Sequence, residues 1–312
     1  MSVKALVITG PTASGKTSAA IALAHRFNGE IISADSMQIY KYMDIGTAKP
    51  DEAEKEGIPH HMLDIVEPWE EYSVAQYADD ARKCIRDVAQ RGKLPIIAGG
   101  TGLYINTLVE NIEYSATPEM KHEVLAEIEN FYEQNGAEAL HGLLEKEDSE
   151  AAEQIHFNNV KRVMRALGMK RSTGMTLAQR NAASKSRPKE FDFTVYAVDT
   201  PRDKLYNRIN LRVDKMLEAG LLDEVKKVVD LCQKAYEQGV AREKTLSKTA
   251  LQAIGYKEFI DYFDGKCDLE TAVERVKQGS RNYAKRQLTW FRKAPWVNWI
   301  GLEELTKIEL EV

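Results

Sequence analysis

Cysteine is scarce in this chain: Cys84, Cys232 and Cys267 are the only three in 312 residues, and they stand far apart. An odd, scattered set excludes a disulfide framework, and no pair has the spacing of a zinc site. The six histidines include the pair His60-His61, but no His-Glu-x-x-His arrangement for a helix-borne metal. No apolar run is long enough to cross a bilayer. A leader pattern is missing too, because the first strand pattern starts within a few residues of Met1. These absences lead us to expect a reducing, cytoplasmic setting with no membrane association. Nothing asks for an obligate interface, so a monomer is expected. What remains is ordinary for a globular chain: 43% hydrophobic and 29% charged residues, enough for a real core in one large domain or two smaller ones.

The formal net charge of −5 does not by itself point to nucleic acid, but its distribution does. Residues 157–189 hold nine bases and no acid, and residues 275–293 hold seven bases and no acid. Between residues 110 and 153 there are thirteen acids against two bases. Such segregation makes local positive fields on an acidic whole. A single charged run is commonly only a solvated face; two acid-free basic runs favour a polyanionic partner.

The strongest signal is Gly10-Pro11-Thr12-Ala13-Ser14-Gly15-Lys16-Thr17. It follows the apolar run Ala5–Ile8 and opens the helical pattern Ser18–Phe27, which is the strand, glycine turn and helix of a P-loop. Successive N–H groups in such a turn, together with a helix N-terminus, favour anions. Lys16 adds a full charge, and Thr17 offers a hydroxyl suited to Mg²⁺. The motif predicts a bound polyphosphate without saying which one.

Further apolar runs, Ile31–Ala34 and Pro95–Ala98, alternate with the helical pattern Val74–Arg91, and Phe193–Val198 reads as a returning buried strand. The expectation is an α/β fold, a P-loop NTPase-like parallel sheet flanked by helices. Residues 114–189 read as an all-helical insertion, entered through a Thr117 cap and Pro118 and left through the loop Ser184–Pro188. The catalytic core is then 1–113 together with 190–312. A helix capped by Thr200 follows the last strand, and in it Arg208 and Arg212 share a face four residues apart.

Gly10, Asp35 and Thr101 each stand directly after an apolar run, so a parallel sheet brings them to one crevice. Asp35 there is a candidate metal ligand or general base, or else a cap for the next segment. Gly99-Gly100-Thr101-Gly102 replaces the acidic residue that P-loop hydrolases often place at such a strand end, which weakens an NTP-hydrolysing reading. Arg208 and Arg212 are either surface charges or a guanidinium pair aimed at phosphate. In the run Ser280–Arg292, the bases Arg281, Lys285 and Arg286 are candidates for phosphate contact, while Tyr283, Trp290 and Phe291 read as core anchors.

In order along the chain, the P-loop, Asp35-Ser36-Met37-Gln38-Ile39-Tyr40, Met43–Pro50, Pro59–Asp64, Gly99–Tyr104, Gln252–Lys257 and the Arg281–Arg292 run together resemble the tRNA dimethylallyltransferases. The likeness runs over nearly the whole chain. It implies that the P-loop, Gly10 to Thr17, cradles the diphosphate of dimethylallyl diphosphate with Mg²⁺ on Thr17. Asp35 would take a proton from the adenine amino group with Thr101 nearby. Arg212 would contact the diphosphate, with Arg208 one turn earlier. It further implies an anticodon stem-loop of tRNA as partner, touched by Asp35, Ser36, Met37, Gln38, Thr101 and Glu123, by Asn159, Val160, Lys161, Arg162 and Val163, and by Gln252, Ala253, Ile254, Gly255, Tyr256 and Lys257. The implied reaction is transfer of the dimethylallyl group to N6 of the adenosine at position 37 in tRNAs reading codons that begin with U. Asn159 and Gly168 depart from the Asp and Glu usual in the family. A small-molecule P-loop kinase, a prenyltransferase of free adenine nucleotides and a nucleotide-switched RNA-binding module stand beside this reading. The kinase and the free-nucleotide enzyme leave the basic runs unexplained, and the missing acidic residue after Ala98 speaks against the switched module.

Overall fold

The computed structural model describes residues 2–112, 122–179, 182 and 188–310. The chain divides into two compact units, residues 1–106 with 190–312, and residues 107–189. The expected cap at Thr117 and the return loop at Ser184 to Arg187 lie outside the described residues.

The first unit is built on six parallel strands: β1 (Val3–Thr9), β2 (Gly29–Ser33), β3 (His60–His61), β4 (Leu94–Ala98), β5 (Phe191–Asp199) and β6 (Asn298–Gly301), in the order β3-β2-β4-β1-β5-β6. The register pairs Leu6 with Ile96 and Thr194, and Ile32 with His61 and Ile97. Central strands covered on both faces need side chains that are apolar throughout, and β1, β2 and β4 are nearly so. Leu6, Ile8, Ile31 and Ile96 pack with Ala20, Leu23 and Ala24 of helix α1 (Lys16–Arg26). Alternation turns Val7, Ile32 and Ile97 to the other face, where α2 (Val74–Gln90) lies. Its start is fixed by a capping box between Ser73 and Gln76. Helix α3 (Gly102–Val109) follows β4.

In the second unit, α4 (His122–Glu147), α5 (Ser149–Gln154) and α6 (Val160–Thr173) enclose their own core of Ile128, Leu140, Leu144, Val163 and Leu167. Helix α4 bends at Gly136, whose φ of +79° lies outside the helical region. Back in the first unit come α7 (Arg202–Glu218), α8 (Leu221–Glu237), a 3₁₀ turn (Ala250–Gln252), α9 (Tyr256–Phe263), α10 (Leu269–Arg292) and α11 (Leu302–Leu305). The expected Thr200 cap is not formed. Pro201 stands at the cap position of α7, without a side-chain hydrogen bond, and places the helix one residue later.

Glu30 shows what holds the short edge strand. Its carboxylate is nearly buried and receives His61 Nε2 at 2.7 Å, Arg91 Nη2 at 2.5 Å and Lys93 Nζ at 3.3 Å. Burial alone would raise its pKa, but the hydrogen bonds from His61, Arg91 and Lys93 overcome that and hold it at about 2. A carboxyl depressed from 4.5 stabilises the fold above pH 4.5 and loses that contribution as pH falls toward 2. Urea midpoints measured between pH 2 and 5 should fall steeply for the native sequence and more gently for Glu30→Gln.

Candidate active site

The shape of the glycine turn comes from the backbone. Gly15, at φ +91°, caps α1 in the left-handed region that glycine tolerates. Ala13 holds φ +61°, an uncommon conformation for a residue with a side chain. Ser14 N–H donates to Pro11 O at 3.3 Å, closing the turn. Ser14 Oγ is buried and has no hydrogen-bond partner. Lys16 Nζ folds back to donate to Pro11 O at 3.3 Å.

Two neighbouring strand ends close on this loop. Gly99 N–H donates to Ile8 O at 3.1 Å, and Ala34 N–H donates to Ala98 O at 2.8 Å. Thr101 N–H then donates to Ala34 O at 3.0 Å. The Thr101 hydroxyl accepts the Ser36 N–H at 2.9 Å and lies 3.3 Å from Ser36 Oγ. Asp35 stands between these segments. Its Oδ1 accepts the Met37 N–H at 2.9 Å, so the local turn role foreseen for it is filled. It nevertheless lines a chamber of about 1030 Å³, counted to its open mouth, with Thr12, Met37, Arg212, Tyr283 and Arg286.

A second, wider chamber opens on the other side of the loop and is lined by Gly15, Lys16, Thr17, Lys49, Arg212 and Lys215. Arg212 and Met216 border both. Arg212 Nη1 donates to Thr12 Oγ1 at 3.3 Å. Burial lowers the pKa of Arg212, and the negative charge of Asp35 works against that fall. Burial likewise lowers Lys16 to about 8, with Asp35 restoring part of the charge and Arg212 repelling it. The arrangement could attract an anion, with two partly desolvated cations on one side and a carboxylate beyond them.

Gly10, Pro11, Thr12, Ala13, Ser14, Gly15, Lys16 and Thr17 form the loop, and Arg212 leans on it. Arg208 is exposed one turn earlier and lines neither chamber. Ser36, Met37, Gln252, Ala253, Ile254 and Arg286 line the Asp35 chamber. Gln38 instead braces a loop, its amide donating to Thr47 O and Ala48 O at 3.3 and 3.1 Å. Tyr256 was expected against RNA but is fully buried, its hydroxyl donating to Glu224 at 2.6 Å. Gly255 caps the helix that carries it, and Lys257 is exposed. Arg281 is tied to Asn210, Glu274 and Gln278 at 2.7–2.8 Å, while Lys285 and Arg286 are exposed. Of the three aromatics expected as core anchors, Phe291 is one. Tyr283 lines the chamber, and Trp290 is 44% exposed, with its ring on the backbone of Gly102.

The IPP transferase family model matches residues 38–294. The chain belongs to the IPP transferase family. It is 50% identical to a tRNA dimethylallyltransferase of Acetivibrio thermocellus, over 97% of this chain and 93% of that one. Among solved structures, it resembles the full-length tRNA isopentenylpyrophosphate transferase of Bacillus halodurans with a TM-score of 0.68 and 41% identity, covering 97% of this chain and 93% of that one. It resembles a eukaryotic dimethylallyltransferase acting on tRNA with a TM-score of 0.80 and 32% identity, covering 96% of this chain and 74% of that one.

In the second unit of this family member, Glu123 is exposed on the first turn of α4, and Asn159, Lys161 and Arg162 are exposed at the start of α6. Val160 is half-buried there. Val163, also expected to touch RNA, is fully buried in the helical core. Arg180, Lys185 and Arg187 of the basic run lie outside the described residues. No group of three or more His, Cys, Asp or Glu side chains is gathered among the described residues. The donor beside the loop is the exposed Thr17 hydroxyl. So sparse a set suits a cation such as Mg²⁺, which takes few protein ligands and completes its shell with water and phosphate oxygens.

Gln287 was missed by sequence reasoning, and so was the contact Tyr283 makes with the chamber. Lys16 yields a direct test. Its charge is complete below about pH 8 and is lost above it, so pyrophosphate affinity measured by calorimetry from pH 7 to 9.5 should decline as the pH passes 8. Lys16→Met should remove that decline along with most of the affinity.

Proposed function

We propose that this protein transfers the dimethylallyl group of dimethylallyl diphosphate to N6 of the adenosine at position 37, 3′ to the anticodon, in tRNAs reading codons that begin with U. Membership of a family whose relatives are tRNA dimethylallyltransferases supports the reaction class. The observation that carries the reading is Arg212, which borders both chambers, with Lys16 and Thr17 on one side and Asp35 on the other. A diphosphate on the loop and a base beside Asp35 would then meet across it.

In this reaction the bond between the allylic carbon and the diphosphate oxygen breaks, and its electrons leave with diphosphate. The N6–carbon bond forms, and the N6 proton passes to Asp35. An aromatic amine is a weak nucleophile, so neutralising the leaving group matters most. Lys16, Arg212 and the loop N–H groups do this in a desolvated setting, where their charges act strongly. Mg²⁺, held by Thr17 and by the diphosphate itself, would add further charge neutralisation. The adenine must leave its stack to reach the chamber. Met37, Ile254 and Tyr283 would flank it there. Lys285 and Arg286, exposed on α10, would meet RNA phosphates. We place the enzyme in the cytoplasm as a monomer.

Incubation with labelled dimethylallyl diphosphate or labelled ATP, with and without unmodified tRNA, tests the assignment. Label should move from the allyl donor to tRNA; consumption of ATP in its place would overturn it. Asp35→Ala should lower turnover by at least about tenfold, since a positioned base contributes about 10²–10⁴, while tRNA binding survives in a filter-binding assay. Reversing the charge of Lys285 and Arg286 together should weaken tRNA binding and shrink its salt slope by about two counterions' worth. Arg281→Glu should instead lower the thermal midpoint, because that guanidinium is committed inside the protein.

A further inference from the structure

Gln287 lies in the most basic helix of the first unit, yet it is only 4% exposed. Both ends of its carboxamide are used. Oε1 accepts the Thr12 N–H at 2.9 Å, and Nε2 donates to Gly100 O at 2.9 Å. Thr12 belongs to the glycine turn, and its hydroxyl is the partner of Arg212. Gly100 belongs to the segment that leads to Thr101. A Cβ on Gly100 would fall 2.2 Å from Gln287 Nε2, so the amide occupies space that only a glycine leaves open. One turn earlier on the same helix face, Tyr283 lines the chamber that holds Asp35. One face of α10 thus ties the loop on the donor side to the segment on the acceptor side.

The two bonds need an acceptor toward an N–H and a donor toward a carbonyl at the same time. A carboxamide supplies both without charge; a carboxylate supplies no donor and an ammonium no acceptor. We propose that Gln287 is a positioning residue that holds the glycine turn in its anion-binding curvature against Gly100. The inference rests on the diphosphate reading of that turn. Gln287 does not touch the reacting atoms; it acts through Thr12.

The experiment is calorimetric titration of inorganic pyrophosphate into the full chain, with tRNA binding measured in parallel. The native protein should bind, and Lys16→Ala should not. Q287M fills the same space without polar ends and should bind pyrophosphate at least about tenfold more weakly, the worth of one to two buried hydrogen bonds. Its tRNA affinity should stay within about twofold. Q287E adds a readout that a purely packing role would not move. At pH 8 its carboxylate faces Gly100 O and the incoming anion, and the loss relative to the native protein at that pH should exceed about thirtyfold. At pH 5.5 a buried carboxyl is substantially protonated and again offers one donor and one acceptor, so the ratio should shrink to about fivefold. Two results would overturn the inference: Q287M that is folded by circular dichroism and binds within about twofold of the native protein, or a Q287E ratio that does not change with pH. If Q287M does not fold, the Q287E ratio alone decides. Pyrophosphate that fails to bind the native protein overturns the diphosphate reading, and this inference with it.

Discussion

Two partly desolvated cations beside one carboxylate set the terms for the first unit. Lys16 and Arg212 repel each other, and each is desolvated, so the pair is costly in the absence of an anion. Asp35 offsets part of that cost electrostatically. Among the described residues it forms no ion pair with either, and its Oδ1 accepts the Met37 N–H. A closer carboxylate would stabilise the free protein but neutralise the charges before a ligand arrived. The observed compromise leaves a positive field unspent at the glycine turn, which is what an anionic leaving group requires.

The sheet explains how such a site is held. Parallel strands all end on the same side, so β1, β2 and β4 deliver the turn, Asp35 and Thr101 to one edge. Backbone hydrogen bonds lace those ends together before any side chain is involved. The remaining wall is a loop, residues 43–50, that lacks regular structure and is fixed from outside. Glu224 on α8 accepts the N–H groups of Asp44, Ile45 and Gly46 at 2.7–2.9 Å and also takes the Tyr256 hydroxyl. Lys49, nearly buried, donates to Tyr40 O, Asp44 and Asp64 at 2.5–2.9 Å. Charge-assisted bonds of this kind order a loop that packing alone would leave free.

What was legible in the sequence follows from this division. Long-period patterns and strand-end punctuation revealed β1, β2, β4 and β5, because buried parallel strands are continuous apolar runs bounded by polar or glycine residues. The edge strands β3 and β6 were illegible: His60-His61 is two residues long, and Asn298–Gly301 has no apolar alternation. Asp35, Thr101 and the glycine turn could be placed together because each sits one step past a strand. Gln287 could not, since its partners are backbone atoms 275 and 187 residues away and nothing in its neighbourhood marks it as buried. Tyr256 misled for the opposite reason. It lies in the Gln252–Lys257 stretch that the family resemblance implies for tRNA contact, but its hydroxyl is spent on Glu224.

Helix α10 joins these strands of argument. Ala284, Gln287 and Phe291 turn inward, Tyr283 and the exposed Arg286 border the chamber, and Lys285 points to solvent. At 100° per residue, a single straight helix can serve core, chemistry and polyanion on three faces without a hinge. The basic run and the amphipathic pattern were therefore not rival readings of this segment. The outer face, acid-free from Arg275 onward, could carry RNA affinity with its strong salt dependence, while Gln287 on the inner face bonds Thr12 and Gly100. Binding and chemistry share a scaffold yet sit on different side chains. Substitutions two residues apart on α10 are then expected to divide between the two, with Lys285 belonging to recognition and Gln287 to the diphosphate site proposed above.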